Sequence, residues 1–228
     1  MRLLFPLLLL SVSGCTQKNV TNPLTEKNNT ITIIAPINYD SCKKQVLHIK
    51  QENRPGWKGL SKNEKENIFT KAVTETIIPN WVGTAWSFNG VSEQPKQGSI
   101  ACGYFVTTVL RDAGLNLART KLAQCASEEM ILSLIQPKYV QRFSNVAIEN
   151  FIASVKQQGY GLYIIGLDNH TGFIYNDGST IYFIHSTFVG TRNVQKEKAG
   201  ESIVLKSSKY KVIGKLSADE SVLERWIR

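Results

Sequence analysis

The hydrophobic pattern changes period near residue 160. Before that point apolar residues recur at helical spacing; after it they alternate or run together in short strand-like blocks. Ile68, Phe69, Ala72, Val73 and Ile77 make one helical stripe, opened by Ser61 with Glu64 three residues on and closed at Pro79. Phe105, Val106, Val109, Leu110 and Ala113 make a second, on a helix that starts at Cys102 and stops at Gly114. Further helices are expected over 120–134, ahead of Pro137, and over 145–158, capped by Ser144 and stopped by Gly159. Strands are expected over 161–167, 171–175, 180–185, 202–205 and 210–212, with a hairpin turn at Asn176-Asp177-Gly178. Ser217 with Glu220 opens a last helix, whose apolar face is Val222, Leu223 and Trp226. Residues 31–37 and 45–49 read as short strands or extended segments, and 53–59 and 83–100 as loops. Helices first and an antiparallel sheet second predict an α+β domain.

The first residues stand outside this pattern. Arg2 precedes an apolar run from Leu3 to Leu10, far shorter than the roughly 20 residues that span a bilayer. Residues 1–14 are expected to be a signal peptide. Its end, Val12-Ser13-Gly14-Cys15, resembles the lipobox of bacterial lipoproteins. That resemblance implies lipidation at Cys15, a membrane anchor and, in a host with two membranes, the periplasmic face of the outer membrane. Residues 15–30 are polar, rich in Asn, Thr and Lys, and expected to be a flexible tether. Residues 31–228 then make a single domain, with 31–80 as an N-terminal extension to its core.

Composition narrows the class. Hydrophobic residues are 42% and charged residues 20%, so the chain is globular. A net charge of +9 attracts anionic envelope polymers and lipid headgroups. No basic helix or aromatic RNA-binding motif occurs, and a nucleic-acid partner is not expected. Three histidines, with no CxxC or HExxH spacing, give no basis for a metal site, and no cofactor is expected. Of four cysteines, Cys42 and Cys125 are left once Cys15 and Cys102 are assigned; spacing alone does not decide whether they pair.

The candidate chemistry lies at Cys102, His170 and His185. A thiol at a helix N-terminus is shifted toward thiolate by the partial positive charge there, and a nearby imidazolium adds to the shift. Strand alternation puts Phe183 and His185 on one face. A hairpin turning at 176–178 sets His185 nearly opposite His170. His170 is then the base that takes the thiol proton, and His185 holds its ring in one tautomer. Gly172 is expected to keep the strand slim beside the substrate. The Cys102 N–H is the natural oxyanion donor, with Trp86, Gln94 or Gln97 as side-chain candidates.

Cysteine on a helix followed by histidines on a sheet is the order of papain-like peptidases. Gly83-Thr84-Ala85-Trp86, Cys102-Gly103-Tyr104-Phe105-Val106, His170-Thr171-Gly172-Phe173-Ile174-Tyr175 and Phe183-Ile184-His185-Ser186-Thr187 occur in that order. Together they resemble the NlpC-type branch of papain-like cell-wall cysteine peptidases, over about residues 82–191. Ala101 stands where the family usually has Asp, Gly103-Tyr104 where it has Ser-Gly, and Trp86 where a tyrosine is common. The resemblance implies a nucleophile helix packed on an antiparallel sheet and a Cys102–His170–His185 triad. It also implies that Trp86, Gly103 and Tyr104 line the substrate site. The expected activity is a peptidoglycan stem-peptide endopeptidase working through a thioester, as a monomer. An amidase or acyltransferase on the same fold, and an inactive cell-wall-binding lipoprotein, stand as alternatives.

Overall fold

In the computed structural model, which describes residues 38–228, the period-two half of the chain forms one antiparallel sheet. Its strands are β1 (Val140–Ser144), β2 (Gly161–Leu167), β3 (Thr171–Asn176), β4 (Ile181–Ser186), β5 (Val194–Lys198) and β6 (Tyr210–Lys215), in the spatial order β1-β6-β2-β3-β4-β5. Helices α1 (Tyr39–Asn53), α2 (Lys62–Lys71), α3 (Ile78–Trp81), α4 (Cys102–Asp112), α5 (Arg119–Gln124), α6 (Ser127–Leu134), α7 (Ile148–Gln158), α8 (Ile203–Ser207) and α9 (Glu220–Ile227) surround it. The architecture is α+β. The expected signal peptide, the Cys15 anchor, the tether and the extended segment 31–37 lie outside the described residues. Among the described residues no helix is long and apolar enough to cross a membrane.

Two apolar layers flank the sheet. On one face Phe173, Ile184, Leu162, Ile164 and Val212 pack with the buried stripe of α4, where Phe105 meets Phe173 edge-on at 5.8 Å between ring centroids. On the other, Phe183, Ile174, Tyr163, Ile165 and Ile213 pack with Phe151 and Val155 of α7. The α4 stripe is buried throughout, and Gly114 (φ +91) ends the helix in the left-handed conformation that glycine adopts freely. The Ser61–Glu64 capping box forms with both of its hydrogen bonds.

Several expectations need correction. Residues 45–49 are helical, inside α1, where Tyr39, Cys42, Val46 and Lys50 make a buried face. Pro79 does not end its helix: it sits in the first turn of α3, where its missing N–H costs nothing, and the helix runs on through a π-helical turn, Ala72–Ile77. The helix expected over 120–134 is two, broken at Cys125 and Ala126, both extended. Residues 140–144 are the edge strand β1, so α7 starts at Ile148 and Ser144 is not its cap. Residues 202–205 form a helical turn because Ser202 caps it, accepting from the Leu205 N–H. β5 takes the place that stretch was expected to hold. Asp219, not Ser217, caps α9; Ser217 is spent on Glu66 and the Leu162 N–H.

The β3–β4 register also differs. Asp177 accepts from the N–H groups of Ser179 and Thr180, which widens the turn, and Asn176 pairs with Ile181. One step beyond the Phe173–Ile184 pair, His185 faces Gly172, and His170 lies on the diagonal.

Candidate active site

Three elements converge at one end of the sheet. Cys102 is the first residue of α4, and Ala101 before it offers no side-chain cap. The first N–H groups of the helix are therefore free of side-chain competition. His170 ends the β2–β3 turn. That turn is tied down by Asp168, whose carboxylate accepts from Ser208 Oγ and the N–H groups of Lys209 and Tyr210. Ser186, at the end of β4, donates to the Ile100 carbonyl at 2.6 Å and holds the segment before Cys102 against the sheet.

The histidines form a relay. His170 Nε2 lies 2.9 Å from His185 Nδ1, and His185 Nε2 lies 3.1 Å from Glu197 Oε1. His170 and His185 are buried, and the His185 ring stacks on Phe183 at 3.9 Å. Burial, reinforced by the charge of His185, drives the His170 pKa down to about 3. Burial also lowers that of His185, against the opposing pull of Glu197. The hydrogen bond from His185 holds the Glu197 carboxyl below its ordinary range. A carboxylate only accepts. Its partner Nε2 of His185 therefore carries the hydrogen, and Nδ1 of the neutral ring accepts. His170 must then donate from Nε2, which leaves its Nδ1 as a lone pair. The chain of bonds sets the tautomer of the last imidazole without any charge on either ring.

Cys102 and His170 line the same two cavities. The backbone N–H groups of Thr171, next to His170 in the chain, of Gly103 and of Cys102 itself favour the Cys102 thiolate. Burial outweighs all three, and the thiol pKa is raised. The expected resting thiolate–imidazolium pair is thus replaced by a neutral thiol beside a neutral imidazole, because desolvation penalises both charged forms.

The cleft has two arms that share Cys102. One, of about 690 Å³, runs between Trp86, Phe88, Val91, Tyr104 and Phe188. Trp86 packs on Phe188 at 5.8 Å and under the Arg192 guanidinium at 5.1 Å. The other, of about 460 Å³, is bounded by Cys125, Ser127, Glu128, Asp168 and Tyr210. Gly103 lets the two meet: a Cβ on it would land on the Ala123 carbonyl oxygen, so only glycine allows the α5 end to close against the first turn of α4. The break after α5 delivers that carbonyl.

The structure thus brings Cys102, His170, Trp86, Gly103 and Tyr104 to one cleft, with His185 buried behind His170. Gln94 and Gln97 instead line a separate cavity with Tyr39 and Asn80 and take no part here. Asn89 and Asn169 are the side-chain amides of the apolar arm that make no hydrogen bond among the described residues. Gly172 leaves room for the relay: a Cβ there would come within 2.9 Å of His185 Cβ and 2.8 Å of the Phe183 ring. Cys42, Cys102 and Cys125 are all free thiols. Glu197 was not among the expected site residues. Its signal is the alternation of Val194-Gln195-Lys196-Glu197-Lys198, which puts Glu197 across from Phe183 and on the His185 face. Among the described residues no cluster of His, Cys, Asp or Glu could hold a metal ion. In comparisons with known proteins, the chain matches no family model, no curated protein and no solved structure.

Proposed function

We propose that this protein is a papain-like cysteine hydrolase that opens an amide through a thioester on Cys102. The observation that carries the reading is the relay: Glu197, His185 and His170 leave one unprotonated imidazole nitrogen, on a residue that shares the cleft of Cys102, the only thiol among the described residues to open an amphipathic helix. His170 Nδ1 takes the thiol proton as sulfur attacks the carbonyl carbon. Because both groups rest neutral, proton transfer accompanies attack rather than preceding it. The Cys102 N–H meets the developing oxyanion, with Asn89 or Asn169 as a side-chain donor. His170 then protonates the leaving amine, and water releases the acyl group. His185 and Glu197 touch no reacting atom and are positioning residues.

The resemblance to NlpC-type peptidases and the lipobox-like Val12-Ser13-Gly14-Cys15 make envelope peptides, peptidoglycan stems among them, the first substrates to try. Cys15→Ala is expected to release the protein from membranes. The apolar arm favours a second reading, an amidase or acyltransferase. For either, Cys102→Ser removes turnover by at least about 10³-fold with an unchanged melting temperature, because this base is matched to a thiol. Release of peptides from purified sacculi, together with a panel of acyl amides, is the assay. Normal turnover by Cys102→Ser overturns the thioester on Cys102, and no turnover of any of these substrates by the native protein leaves only the inactive-lipoprotein reading.

A further inference from the structure

The two arms of the cleft differ in kind. No Asp, Glu, Lys or Arg side chain lines the Trp86–Phe188 arm. Of the seven large apolar side chains that are exposed among the described residues, Phe88, Val91 and Phe188 line this arm, and Val189 and Ile203 line an adjoining cavity that shares Phe188 and His170. Phe88 is 82% exposed and Ile203 68%, so neither is spent on the core. Exposed apolar groups gathered at one place mark a binding surface, whereas scattered ones do not. The second arm carries Glu128 and Asp168 and no cationic side chain, and it is the more open of the two. Both carboxyls are held in the ionised form. Glu128 accepts from Tyr210 and Arg142, and Asp168 from backbone N–H groups. Arg142 offsets the charge of Glu128, and Asp168, in no salt bridge among the described residues, supplies the field that acts on a ligand.

A thioester mechanism assigns the two sides of a substrate to different fates. The acyl part stays bound to sulfur while the amine departs and water enters. The less open arm, lined by uncharged side chains, suits the part that stays. An open, negative arm suits a departing amine, which becomes a cation once protonated, and admits water.

We propose that the substrate is the amide of an apolar acid, with its acyl chain between Trp86, Phe88, Val91 and Phe188 and its amine-bearing portion beside Glu128 and Asp168. This rests on the thioester reading above and names its substrate class, placing N-acyl amines ahead of carboxylate-rich stem peptides. In the first half-reaction the C–S bond forms and the C–N bond breaks, and the thiol proton passes through His170 to the amine. In the second, water adds to the thioester carbonyl and the C–S bond breaks. A water proton returns to sulfur through His170, and the acid leaves.

The test uses acetyl, butyryl and octanoyl amides of one fluorogenic aminocoumarin. The expected kcat/KM rises about tenfold or more from acetyl to octanoyl, since each methylene removed from water favours the bound state. Replacing Phe88 and Val91 together by Ser reduces that ratio. A ratio near one, or inverted, overturns the assignment of the apolar arm. Calorimetric binding of the same amides to Cys102→Ala separates the two layers. Affinity that rises with chain length without cleavage by the native protein sinks the thioester reading and leaves the arm. Cleavage without length dependence sinks the arm and leaves the thioester. Absence of both sinks both. Octanoyl amides of ethylenediamine and of glycine then read the acidic arm: the cationic one is expected to turn over several-fold faster, and equal or reversed rates overturn that half.

Discussion

Two buried polar networks lie at opposite ends of the β2 strand, and they differ in one respect. At one end Glu66 accepts from Ser217 Oγ at 2.8 Å and from Lys215 Nζ at 2.9 Å, and Ser217 accepts in turn from the Leu162 N–H. Glu66 and Ser217 are buried, and each is engaged by its neighbours. At the other end His185 and His170 are as buried, Glu197 is half-buried, and the relay ends in a ring nitrogen with no protein partner among the described residues, on a residue that lines a cleft. Burial of charge therefore does not by itself mark a functional site. The closed network ties α2 to the sheet; the open one presents a base.

This contrast can be broken by exchanging its two carboxylates. Glu197→Gln is expected to lower kcat/KM by about 10²-fold, because an amide can present its N–H to His185 and reverse the tautomer chain. The fold survives, and the acid limb of the pH–rate profile moves. Glu66→Ala does the reverse: stability falls by on the order of 3 kcal/mol as Lys215 loses its partner, while turnover per folded molecule is kept. Equal effects of the two substitutions on turnover would erase the distinction.

Acid sharpens it. A histidine whose folded pKa lies below its unfolded value of 6.5 contributes stability that is complete above that value and lost as pH falls. His170, driven to about 3, and His185, also lowered, predict a fold that weakens progressively from near pH 6.5 toward pH 3. His170→Gln flattens this decline, as read by denaturant midpoints across pH. A wild-type midpoint that holds steady over that window contradicts the buried neutral pair.

The smallest effect concerns the seam between the arms. Gly103→Ala pushes its methyl onto the Ala123 carbonyl and costs about 1–3 kcal/mol. The α5 end shifts, and activity falls more for octanoyl than for acetyl amides. A substitution without effect on stability contradicts the contact.

Much of this was legible in the residues. The α4 stripe, the Gly114 stop and the Ser61–Glu64 box follow from periodicity and capping, and β2 to β4, buried on both faces, from short apolar runs bounded by turn residues. Cys102, His170 and His185 were legible as residue types on successive elements. What failed depended on tertiary partners. Ser217 looks like a cap and is drawn to Glu66; residues 120–134 look continuous and break so that Ala123 can close on Gly103. The thiolate expected from the helix terminus gives way to burial, which no local pattern records. Glu197 was hidden because its partner is set by the β4–β5 register.

The central claim is that Cys102 forms an acyl-enzyme with help from the Glu197–His185–His170 relay. Intact-protein and peptide mass spectrometry after brief exposure to p-nitrophenyl octanoate tests it directly. The account predicts one octanoyl group on the peptide containing Cys102, lost with time as turnover proceeds and absent from Cys102→Ala and His170→Ala. Acylation of Cys42 or Cys125 with Cys102 untouched, or equal labelling of Cys102 in His170→Ala, would contradict it.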